Sequence, residues 1–445
     1  MTINLEKLEI NARALVSAAM KAGADKCDVV VANGNSLGIG VREGKVENTG
    51  RAEGDEFSLR VFVGKRTASV SANQPGDFAM LAERAVAMAR VSPEDPFQDL
   101  VAEDELAKNW PDLDTLDNHI PDADELTARA LEAENAALSV DGVSKSMGAS
   151  AGWGTSGFVL ATSNGFAGNY SVSRFSSSAS ALCGEGEAME RDYDMHAVTH
   201  IGDLRDPAEI GRTAGERAVR RSNPKTVKSG SYPLVFDRRI AGGMLGALLG
   251  AINASSVARK TSFLRNSMGK AVANPAVTVH DDPHRIRGLG SRPFDGEGRE
   301  CGPLLPIDRG ELTTWLLDGA TARELGLESN GRASRSGSGT SPSSTNAWIE
   351  AGEKSPEDFM REIGTGILIT ETIGHGINMV TGDFSKGASG FFIENGEIAY
   401  PVAGFTIAGN LKDMFLSMLP ASDLEFRGST NAPSLLIEGM TVGGT

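Results

Sequence analysis

A pattern carried twice by the first 225 or so residues constrains this chain most: an amphipathic helix, a set of alternating strands and a closing helix. In the first copy the spacing predicts a helix over residues 5–22, then the stretches CDVVVANGNSLGIGVREGKVENTG and EFSLRVFVGKRTASVSAN, then a helix over 77–91. Asn33-Gly34, Glu43-Gly44 and Val63-Gly64-Lys65 carry the residue types of hairpin turns and punctuate these strands. The second copy opens with a helix near 122–138, runs through VSKSMGASAGWGTSGFVLATSNGFAGNYSVSRFSSSASALCGEGEAMERDYD with a turn at Asn164-Gly165, and closes with a helix over 207–221. Period-two alternation leaves one sheet face apolar, so each sheet is expected to bury one side against its helices. Between the copies, SPEDPFQDLVAEDELAKNWPDLDTLDNHIPDADE is acidic and proline-bearing and reads as an exposed connector.

Near Asn223-Pro224 the pattern changes. A strand (YPLVFD) leads into an apolar helix, and the remainder is glycine-rich and mostly β, with GILITETIGH, GFFIENGEIAYPVAGFTIAG and SLLIEGMTVGG as strands and Asn395-Gly396 as a hairpin turn. The segment GRASRSGSGTSPSSTNAWIEAG has the composition of a long surface loop, flexible and placed to shape a substrate channel or a subunit interface. The expected fold class is α+β. It comprises a duplicated N-terminal helix and antiparallel-sheet unit (1–110 and 111–226) followed by a β-rich C-terminal domain (227–445).

Composition excludes several classes. Only Cys27, Cys183 and Cys301 are present, far apart, which gives neither a disulfide framework nor a paired-cysteine metal knuckle and points to a reducing compartment. The N-terminal residues mix charges with apolar residues at helical spacing, unlike an export signal. The longest apolar run, residues 240–252, is 13 residues, short of the roughly 20 that a membrane span needs. The expected setting is the cytoplasm, away from membranes. A net charge of −16 disfavours nucleic acid as a partner, and the basic run ERAVRRSNPKTVK reads as a helix end and linker.

Three segments carry a resemblance to a known family: GERAVRRSNPKTVKSGSYPLVFDRRIAGGMLGALLGAINASSVARKTSFL, TVHDDPHRIRGLGSRPFDGEG and INMVTGDFSKGASGFFIENGEIAYPVAGFTIAGNLKDMF. Through them the chain resembles the TldD/PmbA family along essentially its whole length. In the family's TldD branch, zinc is held by a helix bearing His-Glu-x-x-x-His and by a cysteine near the C-terminus. That set has a clear logic, since imidazoles and a thiolate hold the ion while the glutamate takes a proton from bound water. Set by Thr261-Ser262, the three helix positions fall on Leu245, Gly246 and Gly250, and no cysteine follows Cys301. The resemblance therefore implies the PmbA (TldE) branch: no catalytic or metal residues and no cofactor in this chain, with zinc expected in a TldD-type partner subunit. The pair is expected to act on unfolded or peptide substrates, in proteolysis or peptide maturation. A homodimer is the expected arrangement when the chain is alone.

Substrate or partner contacts are expected at the strongest family matches, Arg259, Thr261, Ser262, Thr381, Gly382, Asp383, Ser385, Gly387 and Ser389, and at His375, which sits between glycines at a strand end. Exposed strand edges there would accept an extended peptide through main-chain bonds. Two histidine pairs four residues apart, His196/His200 and His280/His284, lie in segments that do not read as helices, so a structural or surface role is expected of each. Gly337-Ser338-Gly339 shows neither a base for an activated serine nor the lysine of a phosphate loop. Gly242, Gly243, Gly246 and Gly250 are expected to let the apolar helix pack closely on a neighbour. Two other functions compete with the subunit reading: a self-sufficient peptidase with an unrecognised site, and a protein-binding modulator of a DNA gyrase system.

Overall fold

The computed structural model describes residues 3–74, 76–186, 189–336 and 339–445. The first unit comprises α1 (Leu5–Lys21), β1 (Lys26–Arg42), β2 (Lys45–Val63), β3 (Arg66–Ala72) and α2 (Phe78–Val91). The second comprises α3 (Ala123–Leu138), β4 (Val143–Thr162), β5 (Ala167–Cys183), β6 (Glu190–Val198) and α4 (Pro207–Arg220). Each of the four helices starts on a capping side chain, Asn4, Asp77, Asp122 or Asp206, that accepts a first-turn N–H.

The two units do not form two sheets. β1 pairs antiparallel with β4 from Asp28↔Thr162 to Val41↔Ala149, giving one six-stranded sheet of order β3-β2-β1-β4-β5-β6. A pseudo-twofold axis between β1 and β4 relates the copies. Along β1 the odd residues face the helices: Cys27, Val29 and Val31 pack with α1 and α2, and Ile39 and Val41 with α3 and α4. Close approach of α4 to α3 depends on Gly211, where a Cβ would lie 1.9 Å from the carbonyl oxygen of Ala133.

Three of the four expected N-terminal turns form, with positive φ at Glu43, Gly44, Gly64 and Gly165. Asn33-Gly34 is not a turn. β1 runs straight through it, with Asn33 opposite Asp55 and Gly34 opposite Gly54, because β2 and β4 pair along both of its edges there and leave no room for a reversal. The acidic connector is also not simply exposed: Leu100, Val101, Ala107 and Leu113 are buried, and Trp110 stands edge-on to Phe294 at 5.0 Å. Its apolar residues strap the sheet to the C-terminal domain while its carboxylates stay in water.

The C-terminal domain begins with β7 (Gly230–Phe236), α5 (Arg238–Ala251) and α6 (Ala254–Ala258). β7 lies parallel to Gly366–Ile373 and antiparallel to Leu435–Gly443, while Asp383–Glu394 and Glu397–Asn410 extend the sheet. Glu397–Asn410 also pairs with Leu435–Gly443, which closes the five strands on themselves. Asn395 and Gly396, both at positive φ, make the expected hairpin turn. A second five-stranded sheet contains Glu311–Leu312, Leu304–Asp308, Val279–Asp281, Ala347–Ile349 and Thr430–Asn431. Among the described residues, no helix is long and apolar enough to cross a membrane.

The expected surface loop at 331–346 is largely internal. Ala333–Ser336 and Gly339–Pro342 pair as a hairpin, and Arg332, Ala333, Thr345 and Asn346 are buried; Gly337 and Ser338 lie outside the described residues. Serine and glycine lower the hydropathy here, but the two arginines find buried carboxylates. Arg332 pairs with Asp281, and Arg335 reaches across to Asp28 of β1, which also holds Arg60. Burial alone would raise the Asp28 carboxyl, yet Arg335 and Arg60 hold it down at about 2. Beside them burial, reinforced by Asp295 and Asp318, pushes Glu297 up to about 7, although Gly319 donates its N–H at 2.8 Å.

Two outcomes follow. Asp28→Ala leaves two buried guanidinium groups unpaired, and its urea midpoint is expected to fall by the equivalent of about 3–5 kcal/mol. Glu297 has a folded-state value above its unfolded one, so its contribution to stability is complete at acid pH and is lost as pH rises through about 7. Glu297→Gln is expected to be more stable than the parent at pH 8, with the advantage disappearing in acid, read by thermal unfolding across pH.

Candidate functional site

α5 follows β7 without a loop residue to spare: Asp237 caps it, accepting the N–H of Arg239 at 2.8 Å. Ala241, Met244, Leu245, Leu248 and Leu249 turn into the C-terminal core, and Leu245 has no exposed surface. The opposite face bears Gly243 and Gly246, which are exposed, and Gly250, which is half-buried. A Cβ at Gly243 or Gly246 would meet nothing within 4 Å. The expected close packing through these glycines is therefore wrong for both: they bare a strip of helix backbone instead. Gly242 and Gly250 do have neighbours, Thr430 and Met379.

The rim beyond Gly250 gathers several residues singled out in the sequence. Ser262 is fully buried and donates to the carbonyl of Ala251 at 2.6 Å, fixing the segment after α6 to the end of α5. Arg259 and Thr261 are exposed beside it. Phe263 then donates its N–H to Met379 at 2.9 Å, joining this segment to the 374–382 loop. In that loop Thr381 donates to Asp383 at 2.6 Å, and Asn410 bonds both residues. Gly382, at φ 88°, is buried where Leu411 donates to its carbonyl. His375 is exposed just past Gly366–Ile373, and Ser385 is tied to its neighbour Gly376, where a Cβ would sit 1.4 Å from the Ser385 carbonyl oxygen. Gly387 and Ser389 lie further along the strand, opposite Ile373 and Glu371, away from α5.

At the other end of α5 is a charged cleft of about 220 Å³, lined by His196, Arg217, Arg238, Gly242, Glu425 and Arg427 among others. Its floor is β6. Asp194 receives Arg205 at 2.6 Å, Arg217 at 2.8 Å and Arg427 at 3.1 Å. Asp192 pairs with Arg239 at 2.8 Å, and Glu371 with Arg221 at 2.6 Å. Burial would raise the Asp194 carboxyl, but the arginines hold it below the usual carboxylate range. His196 is depressed by burial and by Arg205 and Arg427, and its Nδ1 accepts the Arg205 N–H, leaving the proton on Nε2. A larger cavity of about 560 Å³ lies over the open face of the first sheet, but its lining is mostly glycine, serine and alanine, with Glu53 and Arg174 as its charged members.

The histidine pairs do not act as pairs. His200 meets Asp114 at 3.3 Å, while His196 faces the cleft. His280 stacks on Trp348 at 4.7 Å, and His284 approaches the Cys301 thiol at 3.6 Å. Among the described residues no three His, Cys, Asp or Glu side chains converge in a way that would hold a metal ion. All three cysteines are buried, and burial pushes the Cys27 and Cys301 thiols up to about 12.

Three family models match: the PmbA/TldA metallopeptidase domain 1 over residues 27–89, its central domain over 117–222 and its C-terminal domain over 229–444. The chain is 34% identical to the metalloprotease PmbA of Escherichia coli over 437 residues, covering 96% of this chain and 95% of that one. The chain belongs to the PmbA/TldD metallopeptidase family. A PmbA homologue of Haemophilus influenzae is 33% identical over 433 residues, covering 96% of this chain and 94% of its own. Among solved structures, a proposed modulator of DNA gyrase from Bacteroides thetaiotaomicron superposes with a TM-score of 0.92 at 28% identity, covering all of both chains. TldE of Thermococcus kodakarensis shares the fold, with a TM-score of 0.88 at 21% identity over 98% of this chain and 100% of its own.

In this PmbA/TldD chain the helix positions Leu245, Gly246 and Gly250 supply no metal donor, so the side chains present there do not fit a zinc ion. The charged cleft, by contrast, was missed in the sequence. Its acids are alternate residues of one strand, and its arginines come from segments as distant as Arg205 and Arg427. The one available signal was the acid at every second position of ERDYDMH, buried on the side facing the helices. Because the folded value of His196 is depressed, protonating it opposes folding. Its imidazole is expected to titrate below the ordinary histidine range by NMR, and Arg427→Ala, by removing a nearby cation, is expected to raise the midpoint.

Proposed function

We propose that this chain is the non-catalytic subunit of a two-component cytoplasmic metallopeptidase, pairing with a TldD-type subunit that carries the zinc and acting on unfolded or peptide substrates. The observation that carries this reading is α5. The resemblance sets the family's metal helix there; α5 is held by Asp237, Ser262 and the core, and past Arg239 its outward face is backbone and glycine. Such a face excludes chemistry by its own side chains while leaving an open, featureless wall along which an extended chain or a partner's residues can lie.

The rim formed by Arg259, Thr261 and the 374–382 loop is the expected partner or substrate contact. Direct contact with nucleic acid is not supported by the basic run at the end of α4. Arg217 pairs with Asp194, Arg220 lies over the Phe391 ring, Arg221 pairs with Glu371, and Lys225 lies over Tyr400.

Peptidase activity on an unfolded protein is expected only when this chain is mixed with a TldD-type subunit, with the two co-eluting and zinc measured by mass spectrometry tracking the partner. Gly246→Trp, which fills the bare face of α5 without touching the core, is expected to cut activity of the mixture at least about tenfold, a loss of about 1.4 kcal/mol in transition-state stabilisation. Full activity of the TldD-type subunit alone, or zinc and activity in this chain alone, would sink the reading.

A further inference from the structure

The charged cleft at the start of α5 holds more cation than its own carboxylates neutralise. Four arginines line it, Arg217, Arg238, Arg239 and Arg427, against two carboxylates, Asp194 and Glu425. Asp192 takes Arg239, so three arginines share the two carboxylates, and Asp194 also holds Arg205 from outside the lining. In a chain of net charge −16 this local excess runs against the trend. Two groups register it. Burial and then Arg239 lower the Arg217 guanidinium even though Asp194 accepts from it, and burial, Arg205 and Arg427 lower His196.

Donors are left over as well. Arg217 reaches Asp194 and the Tyr193 carbonyl through Nη1, while Arg427 reaches Asp194 through Nη1 and Glu425 through Nε. Among the described residues Nη2 of neither makes a hydrogen bond. Arg238, held by Glu425 and the Asp423 carbonyl, is partly exposed. Guanidinium groups with a free edge are shaped for a carboxylate. The rest of the lining says what such an anion belongs to. Tyr193 and Met195, 43% and 51% exposed, and Ala197 set an apolar surface beside the arginines, which an inorganic anion would not use. Gly242 is in the same lining, and the bare strip of α5 leads away from it. Gly250 lies eight residues on. At the helical rise that is about 12 Å, the length of about three or four residues of extended chain.

We propose that the charged cleft binds the free α-carboxylate of a peptide through Arg217, Arg238 and Arg427, with the terminal side chain on Tyr193 and Met195 and the preceding residues along the glycine strip of α5. The assignment rests on the peptide reading above for the class of ligand. It adds an end preference that a wall of backbone alone would not have.

Fluorescence anisotropy of this chain alone, with a short fluorescein-labelled peptide ending in leucine, is expected to show the free acid binding at least about tenfold tighter than its C-terminal amide. Arg238→Ala and Arg427→Ala are each expected to bring the acid down toward the amide and to leave the amide unchanged. Both variants keep the fold's main contacts, since Arg238 is partly exposed and Asp194 retains Arg205 and Arg217 without Arg427. Met195→Glu, at a half-exposed position, sets a carboxylate in the cleft and is expected to remove the preference without touching the arginines. N-acetyl-leucine is expected to displace the acid peptide. An acid that fails to bind or binds no better than its amide, variants that weaken both alike, or displacement by inorganic phosphate and not by N-acetyl-leucine would each overturn the proposal. The TldD-type subunit is absent from this measurement, so its failure leaves the subunit reading standing, whereas an inactive mixture sinks that reading and leaves the end preference intact.

Discussion

The antiparallel pairing of β1 with β4 is the constraint on which the rest of the structure depends. It fuses two copies of a helix–strand–helix unit into one sheet, so that four helices share a face and neither copy leaves its inner edge bare. An isolated three-stranded unit would expose that edge as a row of unpaired peptide groups. The same pairing sends β3 and β6 to the outside. β6 then becomes the strand from which Asp192 and Asp194 meet the C-terminal domain.

Buried charge, as well as apolar contact, fixes how the C-terminal domain sits on that sheet. Asp28 binds Arg335 from the hairpin, while Asp192 and Asp194 bind Arg239 and Arg427 from the two segments that flank the charged cleft. Ion pairs of this kind contribute little net stability compared with apolar replacements, but a wrong docking leaves charges buried and unpaired, which is costly. They specify one arrangement. The aromatic cluster of Trp110, Phe166 and Phe294 supplies the apolar part of the same contact.

Against this rigid background α5 is unusual in having a face that, past Arg239 in its first turn, carries only glycine. On its core face Leu245 and Leu248 are fully buried, so the helix is positioned firmly even though past Arg239 its outer surface offers backbone alone. Glycine is unfavourable in a helix interior by roughly 0.5–1 kcal/mol relative to alanine. Gly243 and Gly246 bear that cost, and among the described residues a Cβ at either would meet nothing within 4 Å.

The sequence by itself determined most of the N-terminal elements. Apolar periodicity and glycine-bearing turns located the four helices there to within a residue or two and three of the four hairpin turns, because these signals are local, whereas the short C-terminal helices Gly319–Leu325, Pro356–Ile363 and Leu411–Ser417 were not legible. It also determined that Leu245, Gly246 and Gly250 bring no metal donors, since that is a matter of composition at named positions. The tertiary structure alone decided that Asn33-Gly34 lies inside a strand, because pairing on both edges outweighs a two-residue turn preference. It alone decided that the serine-rich segment after Gly331 is internal, because Arg332 and Arg335 are neutralised by Asp281 and Asp28, which lie far from them in sequence. The charged cleft belongs to the same class. Charges from β6, α4, α5 and the C-terminal segment meet only after the chain has folded, and no spacing within one segment encodes contacts whose partners lie 23, 47 and 233 residues apart.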